Sequence, residues 1–343
     1  MIRLKKRRMD SLSEIQGATQ QAIDLEFATL PPYLYALYTM KRDDNAAAFE
    51  RLHGIVLQEM IHLCLACNIL NAIGGSPNLV SAVPKLPGPL PYSIGSEDGK
   101  PFDVHLLPFG PPAMHQGMQI EEPEDPIVFT AQKSLDEEPH FHTIGQFYEA
   151  LDKALSTLPV SDWQSGRNQI GNHPFFPGEL FPVNDYSDAS KAIDHIVSQG
   201  EGSSSSPLTF EGEISHFYRF EEVYKNRVLQ QDANAPNGYR WGPPLGVDFN
   251  AVYPAIEDPM NYDFSGHPKA KAAQDACNAA FTKMVDNLQR AMNGEPEILG
   301  NAVRDMFDLR MATLAALRVD IGNGMVAGPA FLYQPALLGG GQG

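Results

Sequence analysis

Across residues 49–70 the chain is apolar at helical spacing, and Glu59 and His62 stand in the same seam as Leu52, Ile55, Val56, Leu63, Ala66, Ile69 and Leu70. Residues three to four apart share one face, so the spacing predicts a single helix whose buried side carries a carboxylate and an imidazole. An ionised carboxylate buried without a partner is strongly destabilising, so the fold must bring a cation or a proton to it. A metal ion suits both groups, because Glu and His three residues apart on a helix point the same way. One Glu-x-x-His also describes an ordinary hydrogen-bonded core pair, so the metal reading stands only if the chain supplies further ligands.

Ser11 followed by Glu14 is a capping-box signature, and apolar spacing from Ile15 to Leu37 predicts a helix ending near Met40 with Glu26 on its inner face. Alone, Glu26 reads equally well as a surface residue of a broad amphipathic helix. Pro31 and Pro32 are expected to kink or loosen that helix. The polar turn 41–45 then makes the first two helices antiparallel neighbours, and Gly74-Gly75-Ser76-Pro77 stops the second. Further amphipathic patterns cover 141–158, 189–201 and 210–228. The second of these ends on Glu201, an acid the helix dipole disfavours there. The third carries Glu213-x-x-His216 on its predicted inner face. Two last helices, 269–292 and 297–321, carry no such pair.

Residues 77–139 are rich in proline, which excludes long helices and central strands and marks an insertion of the kind that covers or shapes a site. His105, His115, His140 and His142 in this region lack helical spacing and read as surface or loop-packing residues. The expected organisation is a basic, solvated arm at 1–10, a helical unit at 11–231 with its Pro-rich insertion at 76–140, a loop plus C-terminal helices at 232–338, and a Gly-rich disordered tail at 339–343.

A formal net charge of -17 argues against a nucleic-acid partner. No run of eighteen apolar residues and no secretory h-region follow the basic start, so a cytoplasmic protein with no membrane partner is expected. Cys64, Cys67 and Cys277 are an odd number, and Cys64-x-x-Cys67 lies inside an apolar helical pattern, which favours buried free thiols over a disulfide, zinc or redox site.

Taken together, the inward acids and imidazoles are Glu26, Glu59 with His62, Glu201, and Glu213 with His216. One carboxylate from each of two helices and a Glu-x-x-His from each of two others is the set with which four-helix carboxylate bundles hold two metal ions. Four crowded carboxylates repel, and two divalent cations neutralise them. Oxygen and imidazole ligation without thiolate suits iron or manganese.

The run 22–34 (AIDLEFATLPPYL), Glu59-Met60-Ile61-His62-Leu63 continuing to Gly74-Gly75-Ser76-Pro77, Gln199-Gly200-Glu201-Gly202, Ser215-His216-Phe217-Tyr218-Arg219-Phe220 and Ala327-Gly328-Pro329-Ala330-Phe331 resemble the ferritin-like domain family of the iminophenyl-pyruvate dimer synthase type, found in violacein- and rebeccamycin-like pathways. The resemblance spans nearly the whole chain. It implies a mainly α, ferritin-like four-helix bundle with a long Pro-rich insertion and extra C-terminal helices, and metal ligands at Glu26, Glu59, His62, Glu201, Glu213 and His216. The leading expectation is a non-haem di-iron oxidase or oxygenase of specialised metabolism, with two Fe ions (Fe/Mn or Mn as variants), catalytic Glu26, Glu59, Glu201 and Glu213, and a small amino-acid-derived substrate. Dioxygen, an external electron donor and a homo-oligomer accompany that reading. Two alternatives stay open: iron storage or oxidative protection, and an oxygen-independent, metal-dependent coupling or cyclisation enzyme.

Overall fold

The computed structural model describes residues 2–96, 102–123, 140–202, 206–235 and 237–338. Helix α1 (Leu12–Thr39) opens at Ser11, whose hydroxyl oxygen accepts the Glu14 N–H while Glu14 Oε2 accepts from the Ser11 hydroxyl and the Asp10 N–H. It runs through Pro31 and Pro32 to Thr39, beside the expected end near Met40. The prolines deprive the Phe27 and Ala28 carbonyls of their helical donors. Nearly every residue of this stretch is buried by neighbouring elements, and that packing offsets the loss.

After one tight turn at Arg42–Asp44, α2 (Ala46–Ala72) returns antiparallel to α1. Gln16 near the start of α1 donates to the Ile73 carbonyl just past the end of α2, at 2.7 Å. Gly74, at φ +79°, takes the left-handed position that ends the helix. By length and composition α2 could cross a bilayer, but 89% of its most apolar window is buried inside this fold, which is the placement of a core helix.

The short α3 (Leu79–Ala82) packs on α1, and α4 (Pro111–Ile120) lies across α1 and α7 (His216–Lys225). Helix α5 (Ile144–Leu155) packs on α1 and on α6 (Tyr186–Gly200), while α6 and α7 both flank α2. The central α1/α2 pair is thus sandwiched between two walls, α5 with α6 and α4 with α7. The hairpin of α8 (Pro268–Ala291) and α9 (Leu299–Ala316) adds a further layer, touching α1 through α9 and α3 through α8. One continuous apolar core joins the nine α-helices found among the described residues.

The strands are short. β1 (Ile2–Lys5) is the middle of a three-stranded sheet, between β3 (Ser93–Ser96) and β5 (His140–Phe141), antiparallel to both. β2 (Gly88–Pro89) pairs with β4 (Asp103–Val104), β6 (Arg227–Gln231) with β7 (Tyr239–Pro244), and β8 (Asp320–Gly322) with β9 (Met325–Val326).

Two expectations change here. The basic N-terminal stretch is not a free arm: Leu4 is fully buried, Arg7 donates to the Gly17 carbonyl at 2.7 Å, and its guanidinium lies over the Tyr92 ring. Inside the Pro-rich insertion the chain builds α4, a helix of ten residues that begins on Pro111 and Pro112, where proline's missing N–H costs nothing. Parts of that insertion (97–101 and 124–139), the serine run at 203–205 and the glycine tail at 339–343 lie outside the described residues. Cys64, Cys67 and Cys277 are buried free thiols, and burial pushes the Cys64 thiol up to about 12.

Candidate metal centre

Glu26 on α1 and Glu59 and His62 on α2 meet because the two helices are antiparallel and each presents its apolar seam to the other. His62 Nδ1 lies 3.5 Å from Glu26 Oε2 and 3.5 Å from Glu59 Oε1. The same Glu59 oxygen is 2.8 Å from His216 Nδ1, whose ring stacks on that of His62 with centroids 5.5 Å apart. Glu121, at the C-cap of α4, brings Oε2 to 3.8 Å from His216 Nδ1. Two buried clusters with the dimensions of metal sites result, Glu26/Glu59/His62 and Glu59/Glu121/His216, with Glu59 in both.

Each oxygen that faces away from the imidazoles has a hydroxyl donor. Tyr148 donates to Glu26 at 2.5 Å, Thr29 to Glu59 at 2.7 Å and Tyr33 to Glu121 at 2.6 Å. Each imidazole is held from behind by an amide: Gln199 Oε1 at 2.8 Å from His62 Nε2, and Gln58 Oε1 at 3.1 Å from His216 Nε2. The amide orientations follow from charged partners. Gln199 Nε2 donates to Glu179 at 3.3 Å, and Arg219, which can only donate, supplies Nη1 to Gln58 Oε1 at 3.0 Å. Both Nε2 atoms therefore carry the proton, which leaves Nδ1 of a neutral ring as a lone pair aimed among carboxylates. That is the tautomer in which histidine binds metal, with its other nitrogen donating outward.

Electrostatics agree. Burial raises the Glu26 carboxyl above its usual range. Burial also opposes ionisation of Glu59 and protonation of His62, yet their close partners win: His216, and then His62, hold Glu59 well below the usual carboxylate range, and Glu26, and then Glu59, push His62 up to about 10. His216 Nδ1 is buried with no properly directed hydrogen-bond partner among the described residues. Buried acids that draw a proton onto an imidazole, beside a nitrogen with an unused lone pair, fit a divalent cation pair.

Glu201 and Glu213 are not brought into these clusters. α7 begins only at His216; before it, Gly212 at φ +84° and the Thr209–Glu213 backbone bond shape an irregular turn, so the helical three-residue spacing from Glu213 to His216 does not exist. Glu213 turns outward to Arg219 at 2.8 Å, with its side chain 59% exposed. Glu201 caps the end of α6 and accepts the Gly145 N–H at 2.6 Å near the start of α5. It does line the same cavity of about 30 Å³ as Glu26, Glu59 and Glu121. A Cβ at position 145 would sit 2.5 Å from Glu201 Oε2, so glycine is what admits the carboxylate.

Sequence reasoning missed Glu121, Tyr148, Gln58 and Gln199. For Glu121 a signal existed: Pro111-Pro112 as a helix start, then Ala113, Met114, Gly117, Ile120 and Glu121 at helical intervals. Tyr33, on the same helix as Glu26, serves Glu121 instead. Tyr38 lies elsewhere, beside Phe49 and Arg310.

A Ferritin-like family model matches residues 19–225, more than half of the chain. The chain belongs to the ferritin-like family. Among solved structures, a ferritin-like protein from Caulobacter vibrioides is similar at 25% identity and a TM-score of 0.65, over 93% of this chain and 98% of that one. Its correspondence beyond residue 225 carries the likeness into the extra C-terminal helices. Among curated proteins, the dichlorochromopyrrolate synthase of Lentzea aerocolonigenes is 26% identical over 82% of this chain and 29% of its own length. The 2-imino-3-(indol-3-yl)propanoate dimerase of Chromobacterium violaceum is 22% identical over 93% of this chain and 32% of its own. This ferritin-like chain thus spans about a third of the length of the curated relatives it matches.

Proposed function

We propose that this protein is a di-metal enzyme that couples small, amino-acid-derived molecules, and that 2-imino acids are its substrate class. The observation that carries the metal part is the sharing of Glu59 between two Glu/Glu/His clusters. The coupling part is supported by the two curated relatives, one named a synthase and one an imino-acid dimerase. Glu26, Glu59, Glu121, His62 and His216 would hold the ions. Bound divalent ions would polarise an imine or carboxylate as Lewis acids, and iron or manganese would add redox capacity.

The chain's own residues would do the rest. Gln58 and Gln199 keep each Nδ1 facing inward, and Thr29, Tyr33 and Tyr148 hold the outer carboxylate oxygens so that the ligands do not rotate away. The apolar surround of Leu25, Ile120, Ile144, Ile196 and Val197 excludes bulk water. A 30 Å³ cavity admits ions and a water-sized molecule, so a substrate requires the edge formed by α5 and α6, where Glu201 rests on Gly145, to give way. Glu201, which lines the same cavity outside the ion-holding set, would then take or return a proton.

The test is to load the protein with Fe(II) or Mn(II), generate 2-imino acids in situ from aromatic amino acids, and follow dimer mass with and without dioxygen. A dimer under both atmospheres supports Lewis-acid coupling. Turnover confined to air supports the oxygen-dependent oxidase, which the thiolate-free ligand set also suits. No product from any imino acid, with metal bound, contradicts the proposal.

A further inference from the structure

The two halves of the centre match in their ligands and in the groups directly behind them. Glu26 has Tyr148 and Glu121 has Tyr33; His62 has Gln199 and His216 has Gln58. One contact further out the match fails. Gln199 gives its amide N–H to Glu179, a carboxylate held below its usual range by His195. Gln58 takes a cation's N–H into the same oxygen that serves His216, while its own amide N–H reaches Glu213, already paired to Arg219, only at 3.5 Å.

Both amides give an N–H to a carboxylate, the longer contact being at Gln58, but only Gln58 also accepts from a guanidinium. A carboxylate accepting from an amide N–H drives electron density onto the amide oxygen, whereas a guanidinium donating to that oxygen withdraws it. The better acceptor makes its imidazole the more electron-rich ligand. Hydrogen-bond lengths follow the expected order, 2.8 Å at His62 and 3.1 Å at His216.

Building on the di-metal reading above, the geometry points to an unequal pair: the Glu26/Glu59/His62 position binds a divalent cation more tightly and fills first, and Arg219, acting through Gln58, is the positioning residue that weakens the Glu59/Glu121/His216 position. The residues that set the difference, Glu179 and Arg219, both line one surface cleft of about 420 Å³ with Gln58 and Glu213. Glu179 lies in a turn, and Arg219, with its side chain 12% exposed, also donates to the Ile214 carbonyl, so folding is followed for every variant. A labile second ion next to a firmly held first one gives the centre a position at which ligands can exchange.

Mn(II) is the probe, with free ion read by electron paramagnetic resonance and folding by circular dichroism. His216→Ala leaves the His62 position and His62→Ala leaves the His216 position, so each binds one ion without repulsion from a second. The His216→Ala protein is expected to bind about tenfold more tightly, the lower end of what altered outer partners of a metal ligand produce. Adding Arg219→Met to His62→Ala should tighten binding several-fold, and adding Glu179→Gln to His216→Ala should weaken it. Damage to the fold would weaken binding in every case, so the tightening is diagnostic. If the histidine variants do not fold, Arg219→Met in the otherwise intact chain should narrow the gap between the two binding steps. Equal affinities, or looser binding with Arg219→Met, overturn the ranking while leaving a di-metal centre. A parent protein that takes up fewer than two ions at saturation removes the centre and the ranking together.

Discussion

Glu59 on α2 places one carboxylate oxygen 2.8 Å from Nδ1 of His216, the first residue of α7. That oxygen also faces His62, so the two candidate metal positions are not independent. Substituting Glu59→Ala is expected to remove both ions, whereas Glu26→Ala should remove chiefly the one at His62. Elemental analysis of the purified variants distinguishes shared from separate ligation.

The phenol of Tyr148 supports Glu26 from a different helix, α5. Tyr148→Phe deletes a buried hydrogen bond to a carboxylate and should lower stability by about 1.5–3 kcal/mol in the metal-free protein. It should also weaken the ion at the His62 position by roughly 10–100-fold. Denaturant melts and single-ion titrations measure the two effects separately.

Helix α4 reaches its place because Gly117 lets the Phe220 ring of α7 pack against its backbone; a Cβ there would lie 2.7–2.8 Å from three atoms of that buried ring. Gly117→Ala would add up to about 1 kcal/mol of helix propensity. Overpacking a buried ring costs about 1–3 kcal/mol, so net destabilisation is expected. Because α4 ends on Glu121, the variant should also loosen the ion at His216 more than the one at His62. A melting temperature above the parent's would refute the packing argument.

Asp24, two residues before Glu26 on the helix but hydrogen-bonded to Gln20 and Tyr92 on its outer side, is raised above its usual 3.8 by burial. The folded state then holds this proton at pH values where the unfolded chain has released it. Stability from this group is complete at low pH and falls as pH rises from the unfolded value through the folded one. Asp24→Asn keeps one acceptor and removes that loss. The variant should gain on the parent as pH increases across this window and hold its advantage above it, which urea melts at several pH values would reveal.

Much of the arrangement was legible because period and burial agree. Glu26, Glu59 and His62 sit within long unbroken apolar repeats, and once two such helices are joined by a short turn their seams must face each other. His216 was found for a partly incorrect reason, since the helix that carries it starts at that residue and Glu213 lies in the turn before it. Ser215 as N-cap marks the true start, but the apolar residues upstream continue the helical pattern across it. Glu121 was hidden by proline: Glu121-Glu122-Pro123 reads as loop, and only the short repeat after Pro111 reveals the helix that presents it. The amides behind the imidazoles could not be read at all, because Gln58 and Gln199 are paired with the histidines by tertiary packing across different helices.

The central claim is that Glu121, and not Glu213, completes the ligand set with His216. The direct measurement is metal content of Glu121→Ala and Glu213→Ala beside the parent after identical loading with Fe(II) or Mn(II). Two ions retained by Glu213→Ala and at most one by Glu121→Ala is the predicted result. Two ions retained by Glu121→Ala, with loss from Glu213→Ala, would contradict it.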